Sequence, residues 1–183
     1  MDDEGILGIA RQVGSPNFDE RSCNGPIGDG IDLIVLHNIS LPPQQYGADW
    51  IEQFFCNELP AAEHPYFAEI CTLKVSTHLL IYRTGELLQF VPLLKRAWHA
   101  GQSNYRGRER CNDFSIGIEM EGSDDEAFEP IQYEVLTKVI KSLISHFPNL
   151  NLETIVGHSD IAPGRKTDPG PFFDWALLRS MLT

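Results

Sequence analysis

Residues 31–39, IDLIVLHNI, are apolar on both alternating faces and rich in β-branched side chains. That pattern predicts a central strand covered on both sides. Ile31, Leu33, Val35 and His37 share one of its faces, so a histidine arrives at the strand end just before SLPPQQYGA (40–48) breaks it. A second strand is predicted over FSIGIEMEG (114–122), with Phe114, Ile116, Ile118 and Met120 on one face and Ser115, Gly117, Glu119 and Glu121 on the other. THLLIYRT (77–84) and ELLQFV (86–91), separated by Gly85, predict a β-hairpin. ETIVGH (153–158) predicts a short strand that delivers His158.

The helical period is clearest in EPIQYEVLTKVIKSLISHF (129–147). Pro130 suits a first turn, and Ile131, Val135, Leu136, Val139, Ile140, Leu143, Ile144 and Phe147 form one apolar stripe that Pro148 ends. Asp49 is placed to cap a short helix running to about Asn57, with Ile51, Phe54 and Phe55 on one face. Asp174 is placed to cap a last helix carrying Trp175, Leu178 and Leu182. One or two helical turns are expected between Ile6 and Val13. Loops are expected at 22–30, at 61–70 and at 95–112, the last basic and aromatic enough to read as a binding loop. Mixed strands and helices predict the α/β class, a sheet flanked by helices. One domain is expected over 1–183, with 1–30 as its lead-in.

Bulk properties narrow the function. A chain of 183 residues suits one domain with a proper core. Its 42% apolar and 22% charged content is ordinary for a globular protein. No apolar run approaches the roughly 18 residues that span a bilayer. The N-terminus MDDEGILGIARQVG is acidic where a signal peptide would be basic, which predicts a cytoplasmic protein. Cys23, Cys56, Cys71 and Cys111 are scattered without paired metal spacing and are expected to be free thiols. A net charge of −12 argues against nucleic acid and anionic membranes as partners.

The candidate chemistry centres on GHSDIAPGRKTDPGP (157–171), whose three prolines rule out a helix interior and predict a stiff loop. His158 and Asp168 are candidate metal ligands there, with Lys166 as a cation beside them. His37 would complete two imidazoles and one carboxylate, a donor set that leaves zinc a free position for water. Glu119, on a strand otherwise surrounded by apolar residues, is a candidate base whose pKa burial would raise. Each residue also has a plain reading: a satisfied strand-end histidine, a half-exposed strand carboxylate, a solvated lysine, an Asp-Pro turn. Spacing alone does not bring them together.

Several ordered segments resemble a known family. LIVLHNISLPP (33–43), HPYF (64–67), AWHAG (97–101), RERCNDFSIGIEMEG (108–122), GHSDIAPGRKTDPGP (157–171) and FDWA (173–176) are similar to the 1,6-anhydro-N-acetylmuramyl-L-alanine amidases of the zinc amidase and peptidoglycan-recognition-protein superfamily. The resemblance covers nearly the whole chain. It implies a central mixed sheet flanked by helices, and one zinc ion held by His37, His158 and Asp168. It further implies Glu119 as proton acceptor and Lys166 as transition-state stabiliser. The implied reaction is hydrolysis of the amide between the lactyl group of 1,6-anhydro-N-acetylmuramic acid and L-alanine, in cytoplasmic recycling of wall fragments, with an indirect limit on β-lactamase induction. The substrate would be a small anhydro-muropeptide, and a monomer is expected. Arg110 and the basic residue at 74 would meet its peptide carboxylates; Lys74 stands where such proteins commonly carry arginine, keeping the charge without the bidentate fork. Asn38, Trp98 and His99 would line the sugar pocket, while Arg106 and Arg108 read as solvated charges. The rival readings are a muropeptide-binding module without catalysis and an amidase acting on intact wall.

Overall fold

The structure is a computed structural model that describes residues 1–21 and 30–183, so the loop expected at 22–30 lies, save its last residue, outside the described residues. In chain order the described elements are β1 (Arg11–Gln12), β2 (Phe18–Glu20), β3 (Leu33–Ile39), α1 (Trp50–Phe55), α2 (Pro65–Ile70), β4 (Leu79–Ile81), β5 (Leu87–Gln89), β6 (Lys95–Ala97), β7 (Asn104–Tyr105), β8 (Arg108–Glu109), β9 (Ser115–Glu121), α3 (Pro130–His146), β10 (Ile155–Gly157), α4 (His158–Ile161) and α5 (Trp175–Leu182). Six strands form one sheet in the order β1-β5-β4-β9-β3-β10. It is mixed: β5 runs antiparallel to β4, and the remaining neighbours pair in parallel.

β3 and β9 occupy the centre and pair along their full length, from Leu33 opposite Ser115 to Ile39 opposite Glu121. Both are covered on two faces, as their unbroken apolar runs require. On one side Ile34, Leu36, Ile116 and Ile118 pack against Leu136, Val139, Ile140 and Leu143 of α3. On the other, Leu80 and Leu88 meet Phe54 and Phe55 of α1 and Phe67 of α2. A smaller cluster joins Leu33 and Val35 to Ala100, Phe114 and Ile161. The alternation read from sequence breaks at Ile31 and Phe114, which pack with the opposite side from the residues of their expected faces. Both lie just outside a strand, where the two-residue period no longer governs side-chain direction.

The strands at 33–39, 115–121 and 155–157, the hairpin about Gly85, and helices at 50–55, 130–146 and 175–182 agree with the sequence expectations, except that the Asp49 side chain makes no capping hydrogen bond. Four regions differ, one being the stiff loop predicted over 157–171, in which His158–Ile161 form the one-turn helix α4. Residues 6–13 form no helix: Gly5 adopts φ +85°, and the buried Gln89 side chain takes the Leu7 N–H and donates to the Gly5 carbonyl instead. Residues 65–70 form a helix where a loop was expected, with Pro65 in its first turn and His64 Nδ1 accepting from the Tyr66 N–H as its cap. The stretch 95–112 is more regular than a loop. β6 pairs with β2, and β7 turns into β8 through Arg106 and Gly107, both at positive φ as a tight hairpin turn requires. Ile131, expected in the α3 stripe, remains 39% exposed at the helix start.

Candidate metal and catalytic site

Four parallel strands, β4, β9, β3 and β10, end at the same edge of the sheet. Open parallel sheets place their ligands outside such carboxyl ends. His37 lies near the end of β3, Glu119 is directly opposite it on β9, and His158 follows β10 immediately. Residues registered opposite one another share a face, so His37, Glu119 and Leu80 all point away from α3. Asp168 comes from the proline-rich loop, which is tied to His158's turn by the Ser159 N–H donating to the Asp168 carbonyl at 2.9 Å. Gly157 permits this close approach, because a Cβ there would stand 2.8 Å from Pro169 Cδ.

The geometry gathers three acceptor atoms. His37 Nδ1, His158 Nδ1 and Asp168 Oδ2 form a triangle with sides of 3.0, 2.9 and 3.0 Å. Both rings are almost fully buried. The Ala100 carbonyl, which can only accept, lies 3.0 Å from His158 Nε2. In the neutral ring Nε2 therefore carries the hydrogen and Nδ1 turns a bare lone pair inward. Burial lowers the His37 pKa to about 4, outweighing its Asp168 contact, so this imidazole is neutral near pH 7. Two imidazole nitrogens and a carboxylate oxygen so close suit one shared cation. Zinc takes such ligands at about 2.0–2.2 Å, within reach of all three atoms at once.

Glu119 stands beside this triangle, 8% exposed, and its Oε2 has no hydrogen-bond partner among the described residues. Burial raises its pKa well above the ordinary carboxyl value; Asp168 adds to the rise, and Lys166 opposes it. Glu121, two residues along the same face, is different. Its oxygens accept from the backbone N–H groups of Gly47 and Arg83 at 2.7 and 3.0 Å, so both are engaged in joining loops.

A cavity of about 540 Å³ opens over the site, with Asn38, Trp98, Glu119, Lys166 and Asp168 among its lining. Lys166 is exposed and forms no ion pair among the described residues. Trp98 presents one wall. The Asn38 amide donates to Asp124 Oδ1 at 2.7 Å and to the Pro169 carbonyl at 3.0 Å, leaving its oxygen for other partners. Lys74 and Arg110 do not line this cavity. Lys74 is exposed between Leu73 and Val75, which do, and Arg110 pairs with Asp113 at 3.2 Å and lines a neighbouring cleft of about 390 Å³. Arg165 lines both openings. His99 also lines the cavity, with both ring nitrogens engaged within the protein, by His37 Nε2 at 2.9 Å and Ser115 Oγ at 3.1 Å. His78 is a buried structural ring that accepts from the Gly117 N–H, and His146 is exposed on α3 beside the Ser142 carbonyl. Sequence reasoning passed over Ser115 and Arg165; strand alternation had placed Ser115 on the Glu119 face, and nothing in the pattern singled out Arg165.

The sequence profile of the N-acetylmuramoyl-L-alanine amidase family matches residues 27–171. The 1,6-anhydro-N-acetylmuramyl-L-alanine amidase AmpD of Citrobacter freundii is 52% identical over 181 residues, 99% of this chain and 94% of that protein. A crystal structure of an AmpD derivative superimposes with a TM-score of 0.93 at 51% identity, covering 100% of this chain and 99% of the other. The amidase AmiD from E. coli, in complex with the substrate anhydro-N-acetylmuramic acid-L-Ala-D-gamma-Glu-L-Lys, matches at TM-score 0.63 and 29% identity, over 90% of this chain and 65% of that one.

Proposed function

This chain belongs to the N-acetylmuramoyl-L-alanine amidase family, and from that premise we propose that it cleaves the amide between the lactyl group of 1,6-anhydro-N-acetylmuramic acid and L-alanine in small anhydro-muropeptides. The full-length similarity to an anhydro-muramyl amidase supports this substrate over intact wall. The observation that carries the catalytic reading is the acceptor triangle with an unpartnered, buried Glu119 oxygen beside it, both opening on one cavity. A domain that only bound muropeptide would have no use for that carboxylate.

In this reading His37, His158 and Asp168 hold one zinc ion, whose Lewis acidity polarises a carbonyl and brings the pKa of water to about 7. Glu119 takes the proton of the attacking water and returns it to the leaving alanine nitrogen; its raised pKa suits both transfers. Lys166 donates a hydrogen bond to the carbonyl oxygen as negative charge develops there. The Trp98 ring face and the free Asn38 oxygen meet the anhydro-sugar. Lys74 and Arg110, at the margins, attract the peptide carboxylates that a chain of net charge −12 would otherwise repel. The role is wall-fragment recycling by a cytoplasmic monomer, with its indirect brake on β-lactamase induction; no described helix is long and apolar enough to cross a membrane.

The test is mass spectrometry of purified protein with anhydro-muramyl tripeptide, as purified, chelator-stripped and zinc-restored. Free peptide and anhydro-sugar are expected in the first and third samples only. Binding without cleavage in the zinc-loaded sample would leave a recognition protein, and the roles of Glu119 and Lys166 would fall.

A further inference from the structure

The segment Trp98–Gly101 touches both metal-site histidines from outside the triangle. His37 Nε2 lies 2.9 Å from His99 Nδ1, and His158 Nε2 lies 3.0 Å from the carbonyl of the next residue, Ala100. A hydrogen assignment follows from the far end inward. The Cys111 carbonyl can only accept, so Ser115 Oγ–H, at 2.6 Å, donates to it. Ser115 Oγ is then an acceptor, and His99 Nε2–H, at 3.1 Å, donates to it. Neutral His99 consequently has a bare Nδ1, which accepts from His37 Nε2–H. His37 is left with a bare Nδ1 facing His158 and Asp168.

We propose that His99 is a positioning residue: with Ser115 and the Cys111 carbonyl it forms a relay that fixes His37 as the Nε2–H tautomer, while the adjoining Ala100 carbonyl does the same for His158, so that one short segment readies both imidazoles for the metal. This deepens the zinc-site reading above and rests on it.

The surroundings hold the segment in one place. The Asn112 side-chain oxygen accepts from the N–H groups of His99 and Ala100 at 3.1 and 2.7 Å, and Ser76 Oγ accepts from that of Trp98 at 2.9 Å. Arg165 donates to the carbonyls of Ala100 and Gln102 at 2.7 and 2.6 Å. Gly101 takes φ +58°, a conformation that favours glycine, and the guanidinium lies beside it. The His99 ring lies directly on Gly117 of β9, where any Cβ would stand 2.5 Å from the ring. Gly117 falls between Ser115 and Glu119 on one strand face, so the strand that carries the base also carries the seat and the end of the relay. Partners that hold a metal-bound histidine's second nitrogen typically change affinity or activity 10–100-fold when removed.

The experiment measures zinc affinity by competition with a chromophoric chelator, and the tautomer of His37 by imidazole 15N NMR of the zinc-free protein. His99→Leu keeps volume but removes the acceptor. It is expected to weaken zinc about 10–100-fold and to mix the His37 tautomers. His99→Asn can present an amide oxygen near the Nδ1 position and should recover most of the affinity, which a space-filling role for His99 would not explain. Ser115→Ala removes only the anchor of the relay and should shift the His37 tautomer signal; it also serves if His99→Leu does not fold. Wild-type affinity and an unchanged Nε2–H signature in folded His99→Leu, or an unchanged tautomer in Ser115→Ala, overturn the proposal. Wild-type protein that takes up no zinc overturns it along with the metal reading. Zinc uptake without amide cleavage would sink only the proposed reaction, since affinity and tautomer are read without turnover.

Discussion

Glu119 and Glu121 lie on the same face of β9, both buried, and only their partners distinguish them. Glu121 accepts two backbone N–H groups, whereas Glu119 Oε2 accepts none among the described residues. Alternation alone selects the face; the apolar surroundings made Glu119 the candidate base, the resemblance implied the same residue, and the unpartnered oxygen gives it a physical basis. An uncompensated buried carboxylate costs stability, so function and stability should separate here. Glu119→Gln is expected to lower turnover by about 10²–10⁴-fold with zinc retained. In the same variant Tm should rise by about 2–4 °C, the equivalent of roughly 1 kcal/mol for a chain of this size. Full turnover in that variant would remove Glu119 as base. The pH dependence has a definite sign. A base works deprotonated, and burial raises the Glu119 pKa, so kcat/KM should fall on acidification at a pH above the ordinary carboxyl range. His37, lowered to about 4, contributes oppositely to folding. The unfolded chain binds its proton near 6.5, so zinc-free protein should lose stability as pH falls from about 6.5 towards 4.

At the scale of elements, what periodicity encodes was legible and what capping and long-range pairing encode was not. The α3 stripe and the β3 and β9 runs are long, and each repeats its period enough times to exclude alternatives. Leu136 is fully buried between α3 and the sheet, so Leu136→Ala should cost about 2–5 kcal/mol in urea unfolding. Helix α2 has six residues and one fully buried side chain, Phe67, too little for a period to declare itself. Its signals are Pro65 and the His64 cap, and histidine is not among the usual capping residues. His64→Ala should lower stability by about 0.5–2 kcal/mol while leaving hydrolysis intact; loss of activity without loss of stability would give His64 a role in the site instead. The strands at β1, β2, β7 and β8 are two or three residues long and exist through their partners, such as Arg11 opposite Leu88. No local pattern announces them.

For the whole molecule, a metal bound at this site would be coupled to folding. His37, Asp168 and His158 come from a central strand, a proline-rich loop and a short helix that meet only in the folded chain. Zinc should therefore stabilise the fold, by about 4 kcal/mol at a free concentration a thousand times its Kd. Calorimetry of chelator-stripped and zinc-restored protein checks this, and identical melting curves would deny a metal site formed by folding. The sequence by itself determined the α/β class, the long elements and the residue types able to hold zinc and move a proton, because periodicity and donor chemistry are local properties of the chain. Tertiary structure alone decided that three acceptor atoms lie 2.9–3.0 Å apart, and that an oxygen of Glu119, not of Glu121, is left without a partner among the described residues. It also decided that His99 turns its nitrogens to His37 and Ser115. Convergence and hydrogen-bond direction depend on which strands become neighbours and in what register, and residues as far apart in sequence as 37 and 168 carry no local record of that.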